Sequence, residues 1–319
     1  MNKFLWICAA AAVLIAAPAH AADRIRISVT NFNMSFLPSG IAQKKGFFKE
    51  EGLEAEVIRM NANVAIAALA SGDVDYTMVF GSVVRAALRG LPMKVVASFI
   101  DSSTHALIAR ADIKSARDLK GKTIGVQAYG ATDHLAGSMM LRHFGLDAEK
   151  DVKTVALGSA SARLAALKEG VIDAAVISPP ADAEAKKLGF AVLNRAYEVF
   201  NFPFVGLGTQ AKKISDRPDE VKRTIKALIK ANRYLRQNRD GAIAVLADWG
   251  RTEPALASAA YDSAYKVYNM DGSIPEDGLR AVIDQARREA KIQREVPLGE
   301  VSDIALLREA QKELGVKAR

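Results

Sequence analysis

Alternation of apolar and polar residues predicts the first strands of the chain. Arg24 to Thr30 alternates strictly and Leu53 to Met60 alternates again, which is typical of half-buried strands. The alanine-rich stretch Ala62 to Ser71 predicts a helix, and the short apolar run Tyr76 to Phe80 after it predicts a buried strand. Because strands alternate with helices, the pattern indicates an α/β protein with parallel-dominated sheets.

A faint internal repeat divides the chain into two related halves. Residues 67–79 (AALASGDVDYTMV) are echoed by residues 165–177 (AALKEGVIDAAVI). Both segments predict the end of a helix, a glycine in the left-handed cap position, an acidic residue and then a buried strand. We therefore predict two lobes of similar topology, in which Asp73, Asp75 and Asp173 serve as strand-entry residues.

The last third of the chain has a helical pattern without a new strand. Helices are predicted within 221–237, 240–249, 253–269, 276–291 and 302–314, and we expect them to pack on the first lobe. Lobe one is then formed by residues 22–107 and 207–319, and lobe two by residues 108–206. The two crossings would form a two-strand hinge that permits opening and closing.

The N-terminus has the three parts of a secretory signal peptide. Lys3 precedes the apolar run Phe4 to Ala17, and Pro18 to Ala21 supplies a small-residue cleavage site. We predict a signal peptide over residues 1–21, cleavage after Ala21 and a periplasmic location. The single cysteine, Cys8, lies inside the apolar run, so it is not placed for a covalent lipid anchor, and disulfides and cysteine nucleophiles are excluded from the rest of the chain.

Composition argues against several classes of function. The chain of 319 residues is 50% hydrophobic and 25% charged, as in globular proteins. Its net charge of +8 is spread among interleaved basic and acidic residues, which argues against nucleic-acid binding. His134 and His143 are nine residues apart, which is not metal-ligand spacing on one helix face. We predict no catalytic residues, no metal and no cofactor.

A ligand site is expected beyond the carboxyl ends of the parallel strands. The loops that follow the predicted strands are rich in Asn, Ser, Thr, Gly and aromatic residues, which suit a pocket for a small molecule. The candidate ligand-binding residues in or beside these loops are Phe32, Asn33, Phe36, Phe80, Gly81, Ser82, Ser102, Tyr129, Gly130, Ala131, Thr132, Ser159, Ser178, Pro179 and Phe202.

The segment from Gln127 to His134 is the sharpest of these candidates. Gly130 permits close approach of a ligand to the backbone, and a helix that begins near Ala131 would attract an anion by about 0.3–1 kcal/mol. The alternative is an ordinary strand-to-helix turn capped by Thr132. Asp133, in the first helical turn, would also repel an anion, so the charge of the ligand stays open at this point.

Several motifs together resemble a known protein family. They are Pro38 with residues 46–53 (GFFKEEGL), then 68–75 (ALASGDVD), 118–126 (DLKGKTIGV) and 166–175 (ALKEGVIDAA). The set resembles the nitrate/sulfonate/taurine-type periplasmic solute-binding proteins of ABC importers. The resemblance implies a two-lobed type II clamshell, delivery of a small ligand to a membrane permease, and no catalysis. It places ligand contacts at Phe32, Asn33, Ser82, Tyr129, Gly130, Thr132 and Ser178.

The ligand and partner are less defined than the fold. The ligands of this family are varied, and we expect a small anion such as a sulfonate or an aromatic or organic acid. A monomer is expected because a clamshell must be free to move. Two alternatives are a sensor that presents its ligand to a membrane kinase, and an enzyme similar to the pyrimidine synthases or menaquinone-pathway enzymes of this fold. The synthases need a cysteine-rich motif, which the chain after Ala21 lacks.

Overall fold

The computed structural model describes residues 22–200 and 203–317. The predicted signal peptide and Phe202 therefore lie outside the described residues. The described chain forms two five-stranded mixed sheets, each flanked by helices, which confirms the predicted fold class. The strands are β1 Asp23–Val29, β2 Leu53–Arg59, β3 Tyr76–Thr77, β4 Met93–Ile100, β5 Ala106–Ala109, β6 Thr123–Val126, β7 Lys153–Ala156, β8 Ala174–Ile177, β9 Ala191–Arg195 and β10 Val205–Gln210.

The two sheets have the same topology. The first has the order β2-β1-β3-β10-β4 and the second has the order β7-β6-β8-β5-β9. In each sheet the first three strands pair in parallel, and the fourth strand pairs antiparallel with both of its neighbours. Four of five strands therefore run in one direction in each sheet, and their carboxyl ends lie at one edge.

Helices cover both faces of each sheet. They are α1 Leu37–Lys44, α2 Phe47–Glu50, α3 Ala62–Ser71, α4 Phe80–Leu88, α5 Thr132–His143, α6 Ala160–Lys168, α7 Ala181–Lys187, α8 Ala196–Val199, α9 Ala211–Asp216, α10 Pro218–Gln237, α11 Arg239–Trp249, α12 Pro254–Ala264, α13 Glu276–Ala290, α14 Leu298–Val301 and α15 Ala305–Glu313. We call the first sheet with α1–α4 and α9–α15 lobe one, and the second sheet with α5–α8 lobe two. The C-terminal helices pack on lobe one, where α10 contacts α1 and α13 contacts α4.

The internal repeat has a structural counterpart. Gly72 and Gly170 both adopt positive φ, 84° and 69°, as the cap positions require. Asp75 accepts a hydrogen bond from the backbone N–H of Arg26, and Asp173 accepts one from that of Thr123. Asp75 thus ties the entry of β3 to β1, and Asp173 ties the entry of β8 to β6, which confirms both as strand-entry residues. Asp73 instead accepts a hydrogen bond from the hydroxyl of Ser71 at the end of α3.

Two adjacent segments connect the lobes. Residues 101–105 run from β4 to β5, and the return passes through α8 to β10. The backbone N–H of Phe204 donates to Ile100, and the backbone N–H of Ala196 donates to His105, so the two connections are hydrogen-bonded to each other. The predicted lobe boundaries at residues 107 and 206 fall inside β5 and β10, a few residues after these connections.

The predicted strand from Tyr76 to Phe80 is shorter than expected. β3 covers only Tyr76 and Thr77, and Phe80 begins α4 with its side chain fully buried. The apolar run continues because α4 is itself buried along most of its length. A buried helix turn and a buried strand have the same apolar pattern over so few residues.

None of the described helices is both long and apolar enough to cross a bilayer.

Candidate functional site

A cavity of about 1140 Å³ lies between the two lobes. Its walls come from the chain just after β1, β2, β6, β7 and β8. These are the carboxyl ends of parallel strands, where ligands bind in open α/β sheets. The cavity is bounded on the hinge side by His105 and at its outer side by the C-terminal end of α11.

The cavity brings together seven of the candidate residues from both lobes. They are Phe32, Asn33, Phe36, Thr132, Ser159, Ser178 and Pro179. Contact of these residues with a ligand stays a prediction. Their common position follows from the topology, because each lies in a loop or helix start that immediately follows a strand.

Other candidate residues lie away from this cavity. Phe80 is fully buried in the core, and Ser82 accepts a hydrogen bond from Arg85 within α4. Ser102 lies in the hinge and donates to the carbonyl of Phe200. Four further candidates do not line the cavity either: Gly81 within α4, the 61%-exposed Tyr129, Gly130, and Ala131 at the N-cap of α5.

Direct hydrogen bonds close the cleft across its two walls. The Nδ2 atom of Asn33 donates to the Oγ atom of Ser178 at 3.0 Å, and the Nδ2 atom of Asn31 donates to the Oε1 atom of Gln127 at 3.4 Å. These bonds place the end of β1 in lobe one opposite the ends of β6 and β8 in lobe two. Side chains of the two lobes therefore contact each other directly across this cavity.

A buried arginine forms part of the inner wall. Arg163 is 5% exposed, its Nη1 atom donates to Asp133 Oδ2 and to the carbonyl of Val176, and its Nε atom donates to the carbonyl of Ser159. Its Nη2 atom makes no hydrogen bond to a described residue. Because Arg163 lines the cavity, this guanidinium is held in place from behind and keeps donor capacity for a ligand.

Asp133, which pairs with Arg163, is buried in the interior of lobe two and not in the cavity. Asp133 is 1% exposed and also accepts hydrogen bonds from the backbone N–H groups of Gln127 and His134. Burial raises the pKa of Asp133, and the Arg163 guanidinium and these N–H groups oppose that shift. Asp133 does not line the cavity, so the expected repulsion of an anion is countered by its pairing with Arg163.

The start of α5 differs from the strand-to-helix turn capped by Thr132 that the sequence left as an alternative. Ala131 is the N-cap and provides no side-chain cap, and Thr132 is the first helical residue. The alternative in which Thr132 caps the helix is therefore wrong. First-turn N–H groups have no partners within a helix, and Thr132 lies at the wall of the cavity. This helix start can contribute to binding of a negatively charged group.

His105 lies in the connection from β4 to β5 and lines the cavity. It is 7% exposed, and its Nδ1 atom is 2.8 Å from the Oγ atom of Ser103. Burial, assisted by the charge of Arg163, lowers the pKa of His105 to about 3. The imidazole is therefore neutral at pH 7 and presents a polar, uncharged group to the cavity.

An aromatic pair forms another wall. The ring centroids of Phe32 and Trp249 are 4.7 Å apart with the planes tilted by 51°, a favourable geometry for aromatic contact. Trp249 packs on Gly40 of α1 so closely that a Cβ atom at residue 40 would lie 2.6 Å from the indole. The glycine in α1 therefore sets the position of this ring beside the cavity.

Substitution of Gly40 by Ala is expected to displace Trp249. Overpacking of this kind costs about 1–3 kcal/mol, and the higher helix propensity of Ala offsets up to about 1 kcal/mol. We expect a net loss of about 1–2 kcal/mol in the free energy of unfolding, measured by urea denaturation, together with a change in Trp fluorescence. Gly299, whose added Cβ would meet nothing within 4 Å, is the control site, and a G40A protein with unchanged fluorescence would contradict this packing.

Sequence reasoning missed Arg163, His105, Arg59, Trp249 and Arg251, all of which line the cavity. The three arginines gave weak signals, because a single arginine in an alanine-rich helix or at the end of a strand or helix is usually a surface residue. The lining includes four basic side chains and one acidic side chain: Lys44, Arg59, Arg163, Arg251 and Asp248. Lys44 pairs with Asp248 at 2.7 Å, so the remaining charge of the cavity lining is positive.

Within the described ranges, no group of three or more His, Cys, Asp or Glu residues could hold a metal ion.

Comparisons with known proteins agree with this architecture. A thiamine biosynthesis protein of Haemophilus influenzae is 30% identical over 148 residues, which cover 45% of this chain and 46% of that protein, so the chain spans about half of that relative's length. The binding protein YtlA of Bacillus subtilis is 22% identical over 256 residues, 77% of each chain.

Solved structures share the fold at low sequence identity. The periplasmic aliphatic sulphonate-binding protein SsuA of Escherichia coli superposes with a TM-score of 0.73 at 16% identity, covering 88% of this chain and 92% of that one. The desulfurization enzyme DSZB superposes with a TM-score of 0.67, also at 16% identity, covering 92% and 99%. Residues 33–242 match the family described as NMT1/THI5 like. The chain therefore belongs to the NMT1/THI5-like family and has the fold of the periplasmic solute-binding proteins of ABC import systems.

Proposed function

We propose that this protein is the extracytoplasmic solute-binding component of an ABC uptake system. It binds a small organic anion in the cleft between its lobes and delivers it, chemically unchanged, to a membrane permease. The observation that carries the proposal is the buried Arg163, which lines a cavity of net positive charge and has donor capacity that no described residue uses.

The inner wall provides what a carboxylate or sulfonate requires. Arg163 supplies a charge-assisted hydrogen bond, worth about 1.5–3 kcal/mol in a desolvated site. The N-terminus of α5 at Thr132 adds a partial positive charge. Ser178 and the neutral His105 provide uncharged polar atoms beside it. Micromolar affinity needs about 8 kcal/mol, and burial of the ligand against Phe32 and Trp249 supplies a further part.

The arrangement favours binding over catalysis. A general base works best with a pKa near the operating pH, whereas the pKa of His105 is about 3. Asp133 is turned away from the cavity and paired with Arg163. The fold shared with DSZB leaves an enzyme as the competing class, and the purified protein should leave a bound anion unaltered on prolonged incubation.

Closure of the lobes would produce the surface that a permease recognises. The bonds from Asn33 to Ser178 and from Asn31 to Gln127 join the lobes at the cleft, and the two hinge connections permit their separation. We propose that the protein acts as a monomer in the periplasm after removal of residues 1–21, because hinge motion requires the lobes to be free.

A thermal-shift comparison of acids with their neutral amides tests the proposal. At a ligand concentration 100 times Kd, binding stabilises the native state by about 2.7 kcal/mol, which corresponds to a rise in Tm of about 4 °C for a chain of this size. We expect at least one carboxylate or sulfonate to produce this rise and its primary amide or sulfonamide to produce none. Equal shifts with acid and amide would contradict an anion site.

A further inference from the structure

The outer end of the cavity carries positive charge that the inner wall does not use. Arg59 and Arg251 both line the cavity and are exposed to solvent, which places them at its mouth. Neither guanidinium forms an ion pair with a residue in the described part of the chain, whereas the neighbouring Lys44 is neutralised by Asp248. The cavity therefore has a basic site at its mouth in addition to Arg163 at its inner wall.

The sheet topology separates the two basic sites. Arg59 is the last residue of β2, the edge strand of the first sheet. Arg163 is hydrogen-bonded to Val176 on β8, the third strand of the second sheet. The bonds across the cleft join the end of β1 to the ends of β6 and β8, and Arg59 ends the strand beside β1. Arg59 and Arg163 therefore come from different lobes and from different strands at the cleft.

The backbone at Arg251 is unusual for an arginine. After α11, the N–H of Thr252 donates to Ala247 at 2.9 Å, and Arg251 has a φ of 49°. This is the left-handed position of a helix C-terminus, where glycine is the usual residue. Gly250 directly before it has φ of −83°, and a Cβ there would lie 2.9 Å from the carbonyl oxygen of Phe32. The local structure thus holds an arginine in a strained conformation at the mouth of the cavity.

The space between the basic sites is aromatic and large. Phe32 and Trp249 line the cavity that contains both sites, and its total volume of about 1140 Å³ is slightly above the usual range for drug-sized ligands. A monoatomic or tetrahedral anion alone would leave most of this volume to water. A planar ring in contact with Phe32 and Trp249 would fill part of this volume and leave room for a second acid group.

We propose that the ligand is an elongated aromatic diacid. One acid group binds at Arg163, the ring contacts the aromatic pair, and the second acid group lies near Arg59 and Arg251. This inference rests on the proposed anion-binding function and adds the second charge and the aromatic spacer to it.

Isothermal titration with matched mono- and diacids tests the proposal. The probes are terephthalate against benzoate, and para-substituted biphenyl dicarboxylate against biphenyl carboxylate. We expect at least one diacid to bind about tenfold more tightly than its monoacid. R59Q and R251G should each weaken that diacid about fivefold, as expected for a partly exposed ion pair. Each should weaken the monoacid by less than about twofold, because only the long-range attraction of the cavity for an anion is reduced.

R251G also separates binding from folding. Glycine suits the left-handed backbone better than arginine, so this variant should raise Tm by about 1–2 °C while it lowers affinity for the diacid. Lys291 is the matched control, because it has a φ of 54° at the end of α13 and does not line the cavity. K291G should raise Tm similarly with unchanged binding.

Each outcome bears on the proposals differently. Equal affinity for a monoacid and its diacid would overturn the second acid site and leave the proposed function intact. Unchanged diacid affinity in both R59Q and R251G would also overturn it. Absence of binding of all four acids to the parent protein would overturn the diacid inference, and absence of any acid-specific thermal shift would overturn the proposed function with it.

Discussion

Substitution of Arg163 by Met is expected to lower the affinity for a bound organic anion by about 100-fold. Loss of one or two charge-assisted hydrogen bonds, each about 1.5–3 kcal/mol, accounts for this factor. The same change leaves Asp133 buried, at 1% exposure, without its cationic partner. Removal of one partner of a buried pair costs about 3–5 kcal/mol. Affinity is measured by titration calorimetry, and the free energy of unfolding by urea denaturation.

A second buried pair in lobe two supplies the control for this variant. Arg195 contacts Asp182 at 2.5 Å, and Asp182 is 1% exposed, but Arg195 does not line the cavity. R195M should therefore destabilise the protein by a similar or somewhat smaller amount while its affinity for the anion stays within about twofold of the parent. Equal anion affinity in R163M and R195M would contradict the role assigned to Arg163.

The features of the fold that were predictable are local ones. The repeat contains a capping glycine, an acidic residue and a buried strand within 13 residues, so its meaning does not depend on distant contacts. Asp75 and Asp173 make equivalent hydrogen bonds in the two sheets for this reason. The loops after β1, β6 and β8 could likewise be assigned to the cleft, because parallel strands end at one edge of a sheet.

The features that could not be predicted depend on tertiary contacts. The importance of Arg163 follows from its contact with Asp133, 30 residues away in the chain. Trp249 and Arg251 come from a C-terminal helix that the sequence assigns to lobe one without indicating which end faces the cleft. Phe80 was wrongly predicted to lie in a strand, because the apolar pattern does not show where β3 ends. Phe80 instead begins the buried helix α4.

His105 is expected to make the stability of the protein depend on pH between pH 5 and pH 7.5. Its pKa is lowered from an ordinary 6.5 to about 3 by burial and by the charge of Arg163. As the pH falls below 6.5, the unfolded chain binds a proton at this residue and the native chain does not. Stability conferred by the neutral imidazole is therefore fully present above pH 6.5 and is lost progressively down to about pH 3. Between pH 7.5 and pH 5 this residue alone accounts for a loss of about 2 kcal/mol.

Urea denaturation of parent and H105Q proteins at several pH values in this range isolates the contribution of His105. Gln keeps a polar side chain beside Ser103 but cannot bind the proton, so the difference in stability between the two proteins should shrink by about 2 kcal/mol from pH 7.5 to pH 5. H143Q is the control, since His143 is exposed at the end of α5, and it should keep the pH dependence of the parent. Parallel pH profiles for parent and H105Q would show that His105 binds its proton equally in the native and unfolded states, and the lowered pKa assigned to the buried imidazole would have to be abandoned.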